Sequence, residues 1–178
     1  MTQSAAHLSK HNSRHSNKYN LAARIFHWIG ALLILAAWII IEQGDDYISL
    51  HKSVGFSFLI WTLLRIANRV FTKAPPPPPM SALQAKASLL VHLLLYVAMV
   101  AMPLTGFLAS MYAGYGVNVF GVLPIAGVAV PNESLADTLM DLHKGFIWPL
   151  LLGLVGVHIL GALHHQFILK DNLIARMR

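Results

Sequence analysis

The chain has 178 residues, of which 56% are hydrophobic and 11% charged, with a formal net charge of +6. A soluble domain of this size carries about 25% charged residues, so the composition describes one small membrane domain. With no cysteine, disulfides, thiolate metal sites, iron–sulfur clusters and C-x-x-C-H attachment are all excluded.

Residues 1–20 are polar and lack the apolar core of a signal peptide. His7, His11 and His15 recur there at i, i+4, i+8, a spacing that could bind a metal. In a Ser/Asn-rich tail they read more simply as solvated side chains. The first apolar stretch covers about 21–42 ("LAARIFHWIGALLILAAWIII"). It is too long for a signal core and long enough for a hydrocarbon layer that takes roughly 20 helical residues. The second, "ISLHKSVGFSFLIWTLLRIANRVF", covers 48–71. Five consecutive prolines in "KAPPPPPMSALQAK" then form a stiff spacer that cannot be helix.

The third stretch covers 87–112. Residues 113–138 are apolar but interrupted by Gly114, Gly116, Gly121, Pro124, Gly127 and Pro131, which predicts an interfacial or re-entrant segment and not a fifth span. The fourth stretch covers about 139–169, and Pro103 and Pro149 are expected to kink the third and fourth helices. The expected architecture is all-α, an integral membrane four-helix bundle over 21–170, with tails at 1–20 and 171–178.

Basic residues orient it. Lys10, Arg14, Lys18 and Arg24 open the first span, Arg65, Arg69, Lys73 and Lys86 flank the proline loop, and Lys170, Arg176 and Arg178 close the chain. Only Lys52 and Lys144 fall on the other side, together with Glu42, Asp45, Asp46, Glu133, Asp137 and Asp141. The positive-inside rule makes both termini cytoplasmic. The positive charge is therefore a topology signal, and nothing is left to support a nucleic-acid partner.

Against this frame the histidines pair by depth. His51 and His143 lie near the outer face; His27 and His158 lie a little inside the cytoplasmic face. His158 follows His143 by fifteen residues, roughly 22 Å, and about 60° around the helix, so both can face the bundle interior. Two imidazoles on facing helices at one depth can hold a haem iron from both axial positions, as bundle cores hold cofactors. Two such haems stacked across the membrane, about 20 Å apart, make an electron wire. Singly, each histidine is as well explained by an interfacial side chain; four that pair are not. His165 rivals His158 on the same face but lies about 33 Å from His143, among the headgroups. His164 and His165 also suit a helix C-terminus, whose dipole favours a cation. Gly30, Gly55 and Gly145 could make room for a porphyrin, or equally for close helix packing.

The motifs carrying these histidines resemble the bacterial cytochrome b561 family, di-haem b-type cytochromes of the inner membrane. The resemblance runs from about Tyr19 through "IFHW" (25–28), "LHKSVGF" (50–56), "HLLLYVAMVAMPLTG" (92–106), "FGVLPI" (120–125), "LHKGF" (142–146), "HILGALHH" (158–165) and "KDNLIARM" (170–177). It implies two non-covalent haem b groups with axial ligands His27, His51, His143 and His158. It further implies a quinone, ubiquinone in the family, near His92 and His165 on the cytoplasmic side; both can exchange protons near neutral pH. Between His143 and His158 the chain is one residue longer than the family pattern, a difference that a bulge at Pro149 would absorb.

The expected function is transmembrane electron transfer between a periplasmic donor and the quinone pool. Some relatives in the family are superoxide oxidases, superoxide:ubiquinone oxidoreductases, which would make superoxide the donor. Lys52 and Lys144 could then attract the anion, or they, with Arg24 on the inner side, could neutralise haem propionates. A second possibility is a cytochrome subunit that docks a periplasmic dehydrogenase or reductase through Glu133, Asp137 and Asp141. A third, of another class, is a histidine-lined metal or proton transporter, which the near absence of carboxylates within the spans disfavours.

Overall fold

In a computed structural model, residues 18–178 are described; His7, His11 and His15 lie outside the described residues. Four helical segments are long and apolar enough to cross a membrane. Helix α1 (Leu21–Ile41) starts at Asn20, whose side chain accepts the Ala23 N–H at 2.6 Å. A single 3₁₀ turn, Asp45–Tyr47, leads into α2 (Ile48–Phe71). After the proline spacer, Ser81 and Gln84 form a reciprocal capping box that starts α3 (Ala82–Tyr112). The last segment is helical from Glu133 to Leu169: α4 (Glu133–Asp141), a wide turn at Leu142–Ile147, α5 (Trp148–Leu163) and a second wide turn at His164–Leu169.

The architecture is a bundle of four membrane-spanning helices. Leu32, Leu63, Leu64, Leu93 and Leu160 all point outward and are exposed, as expected of surfaces facing lipid. The core is narrow, with Phe58 from α2, Leu95, Ala98 and Met99 from α3, and Leu151 and Leu154 from α5. Packing follows chain order: α1 on α2, α2 on α3, α3 on α4 and α5. Gly30 is buried against Trp61 of α2, so of its two readings close helix packing is the one realised.

The Gly/Pro-rich segment holds an element the sequence did not announce. Strands β1 (Val117–Val119) and β2 (Leu123–Ile125) form an antiparallel hairpin. Phe120 and Gly121 at its tip both take positive φ, 51° and 74°, the geometry of a primed hairpin turn. Two glycines let it fold back: a Cβ on Gly116 would lie 2.3 Å from the Ile125 carbonyl oxygen, and one on Gly127 2.5 Å from the Gly114 backbone. Buried Ser53 anchors it to α2, accepting the Phe120 N–H at 3.0 Å and donating to the Ser49 carbonyl at 2.9 Å.

The opposite end of the bundle holds Tyr19, where the described chain enters α1, and the C-terminus. Residues 173–177 form a 3₁₀ turn that folds back on α1. Tyr19 N–H donates to the Arg176 carbonyl at 3.1 Å and Trp28 Nε1 to the Met177 carbonyl at 2.8 Å. Arg176 donates to the Pro76 carbonyl, joining the tail to the proline spacer.

Candidate cofactor site

At the hairpin end, the His51 and His143 rings lie with centroids 6.3 Å apart. At the terminal end, those of His27 and His158 lie 6.2 Å apart. A metal–imidazole bond is about 2 Å, so two nitrogens in line through one metal lie about 4 Å apart and their ring centres about 6 Å apart. Both pairs match that spacing. Among the described residues no group of three or more His, Cys, Asp or Glu side chains is arranged to hold a metal ion. A bare metal ion usually takes four protein ligands; a two-histidine pair suits an iron whose other ligands come from a macrocycle.

The hairpin-end pair is fixed from behind. His51 Nδ1 lies 2.9 Å from the Ala37 carbonyl oxygen, and His143 Nδ1 lies 2.7 Å from that of Met102. A carbonyl only accepts, so each Nδ1 carries the proton and each Nε2 is left free to ligate. Gly106 backs the His143 ring so closely that a Cβ there would lie 2.8 Å from Cε1. Gly55 and Gly145 face open space. Neither α1 with α5, nor α2 with the Leu142–Ile147 turn, is among the closely packed element pairs, so each histidine pair bridges a gap between helices. Trp38 of α1 and Trp148 of α5 approach each other across that gap, with ring centroids 5.7 Å apart.

The extra residue between His143 and His158 is taken up, but not at Pro149. The Leu142–Ile147 turn is π-helical, with Trp148 N–H reaching back to the His143 carbonyl. A π-turn absorbs one residue, so the separation counts as about fourteen α-helical steps and about 40° in place of 60°. Both side chains therefore still face inward. The wide turn ends just before Pro149, the second residue of α5.

The terminal end is more crowded. His92 lies 5.2 Å from His158 between ring centroids, and its Nδ1 donates to the Ser88 carbonyl at 2.6 Å. His165 turns instead to Asp171, Nδ1 to Oδ2 2.5 Å; among the described residues no hydrogen bond or ring contact joins His92 to His165. His164 stands 6.1 Å from His165. Arg24 donates to the Arg178 carbonyl at 2.5 Å. At the hairpin end Lys52 lies over the Tyr115 ring, 5.5 Å from its centroid, and Lys144 is exposed.

Three residues at these sites were not singled out by the sequence reading. Gly106 meets His143 across two helices, and Asp171 meets His165 only because the chain turns back at Lys170. Arg65, counted with the basic flank of the proline loop, faces inward, with a guanidinium nitrogen 3.2 Å from His27 Nδ1. An arginine inside a span is a functional signal on its own.

Comparison with known proteins bears on what these pairs hold. The family model described as prokaryotic cytochrome b561 matches residues 18–178. The chain belongs to that family. It is 29% identical over 174 residues to "Cytochrome b561 homolog 2" of Escherichia coli K12, covering 90% of each protein. "Cytochrome b561 homolog 1" of the same organism is 26% identical over 176 residues (90% of this chain, 97% of the relative). "Probable superoxide oxidase CybB" of Yersinia pestis is 31% identical over 173 residues (90% and 95%). This chain is thus a multi-pass electron-transport protein of the bacterial inner membrane, from a family with haem-binding capacity.

Proposed function

We propose that the chain conducts electrons across the membrane through two non-covalent b-type haems, one on His51 and His143, the other on His27 and His158. The observation that carries this reading is the pair of ring separations, 6.3 Å and 6.2 Å, at two levels of one bundle. By the positive-inside rule the terminal end is cytoplasmic and the hairpin end periplasmic. The membrane domain is then 21–170, with the tails 1–20 and 171–178 on the cytoplasmic side.

When bound, haem supplies a one-electron couple. The chain's own residues do the rest. Ala37 and Met102 hold the outer imidazoles in one tautomer, and Gly106 sets the His143 ring plane. Phe58, Leu95, Met99, Leu151 and Leu154 keep the space between the two levels apolar. Two histidines at each site would hold the haem iron without leaving a position for oxygen, so the chemistry it would supply is outer-sphere electron transfer. At the cytoplasmic end His92 and His165 would serve a quinone, ubiquinone in the first instance, by exchanging its protons; Asp171 fixes the His165 ring and leaves Nε2 outward.

The outer donor is superoxide in the first reading, supported by the name of the Yersinia relative and by Lys52 and Lys144, each directly after an outer ligand. Docking of a periplasmic redox protein is the second. It is favoured by the exposure of Glu133, Asp137 and Asp141 at and just after the start of the last span. A transporter reading fares worse, because each level offers a free metal ion two protein ligands.

The test is made with purified protein in ubiquinone-loaded liposomes. Superoxide generated outside should reduce the haem bands within the mixing time and then yield ubiquinol. Haem that ubiquinol reduces but superoxide does not would transfer the outer role to a protein donor. Haem that neither reduces would contradict the reading.

A further inference from the structure

Among the described residues, Arg65 is the one guanidinium seen against a candidate ligand. It projects from α2 into the terminal-end level, half-buried. There a guanidinium nitrogen lies 3.2 Å from His27 Nδ1, another approaches Met99 Sδ at 4.0 Å, and the group lies over the Tyr96 ring, 5.6 Å from its centroid. The other ionisable groups facing this level are His92 and Tyr96 on α3 and His158 on α5, none of them a carboxylate. The only carboxylate ion pair among the described residues is His165–Asp171, so no carboxylate offsets this charge. Arginine does not deprotonate in proteins. A cation within a membrane bundle costs free energy and is characteristically kept for a function.

The two levels are electrostatically unlike. At the hairpin end both imidazoles donate Nδ1–H to carbonyl oxygens, which makes them more basic ligands and favours the more positive, ferric state. The cations there stand off: Lys144 is exposed and Lys52 is engaged with Tyr115. At the terminal end the hydrogen-bond-range contact of His27 Nδ1 among the described residues is with Arg65, not with a carbonyl. If His27 ligates through Nε2, its Nδ1 keeps the proton and the guanidinium remains beside it as a bare charge. A fixed positive charge disfavours the ferric state.

We infer that Arg65 makes the haem position on His27 and His158 the more readily reduced of the two, so that electron flow toward the terminal end is built into the bundle. Each couple takes up one electron, ferric to ferrous, with no bond made or broken. The inference rests on the two-haem reading above.

It is tested by redox titration of the absorbance bands of the full chain with its haem bound. Wild type should show two waves. Arg65→Gln should lower the upper wave by tenfold or more in its reduction equilibrium, about 59 mV for one electron, and leave the lower wave in place. Arg65→Lys should restore most of the shift. No shift, a shift of the lower wave, or an equal shift of both would overturn the inference. Should Arg65→Gln fail to fold, His143→Ala decides without touching the arginine. The haem that remains should titrate at the upper potential, and the lower potential would overturn the inference. A wild-type chain with fewer than two haems would instead sink the two-haem reading, and the inference with it.

Discussion

Gly106 and His143 meet face to side: the glycine's missing Cβ would lie 2.8 Å from the imidazole Cε1 and 3.0 Å from Nδ1. The ring is thus trapped between α3 and whatever occupies its other face. Gly106→Val should tilt His143 off the Met102 carbonyl and abolish the outer site alone. The expected result is one haem per chain with a folded protein. Two haems with unaltered spectra would show that the contact has no part in ligation.

Lys52 and Lys144 are the cations beside the outer pair. If they draw in a small anion, replacing both with Gln should slow superoxide-driven haem reduction by about tenfold at low salt, with the difference shrinking as salt rises. Reduction by dithionite should be unchanged. An unaltered superoxide rate at low salt would leave these lysines only the neutralisation of haem propionates.

Asp171 is held in place on both sides. Lys170 and Asn172 take left-handed backbone conformations, both with φ 57°, and Asp171 Oδ1 accepts the Leu173 N–H at 3.2 Å. Its other oxygen faces His165. Asp171→Asn should leave the haem spectrum intact and slow quinol-driven haem reduction by about tenfold, less than the roughly hundredfold that losing a positioned acid–base group itself costs. Equal loss of haem and of quinol reaction would mean that the residue only holds the tail.

Ser53 is 1% exposed and joins the hairpin to α2. Ser53→Ala leaves the Phe120 N–H without this acceptor, at a cost of about 1 kcal/mol. The loss should be local, seen as faster amide exchange and proteolysis in residues 117–125 while the haem content holds. Unchanged exchange would assign the hairpin's position to its glycines alone.

Much of the architecture is legible in the sequence because lipid imposes a simple code. Helices must be long and apolar, so the number of spanning helices follows from composition, while the third and fourth begin earlier than their apolar stretches, at Ala82 and Glu133. Capping residues Asn20 and Ser81 mark two of the starts. Depth could be counted as well, since rise per residue is fixed, and this is how His27 was matched to His158 and His51 to His143. What could not be counted was lateral. The β-hairpin depends on backbone approaches at Gly116 and Gly127, invisible without the partner strand. The one-residue excess before His158 was visible, but its position was not. Proline suggested Pro149, whereas the wide turn forms just upstream, where it also carries His143. Arg65 looked like a helix-end charge because nearby Arg69 and Lys73 are; only the packing of α1 on α2 shows that it turns inward. His165 was grouped with His92 by resemblance, and its contact with Asp171 depends on a tail that folds back.

The most direct test of the account is the number of haems per chain, measured from the pyridine haemochrome of detergent-purified protein against its amino-acid content. Two per chain, low-spin in both oxidation states, is the predicted result. His51→Ala or His143→Ala should remove one, and His27→Ala or His158→Ala the other. A wild-type chain with no haem when haem is supplied during expression, or single variants that all retain two, would contradict it.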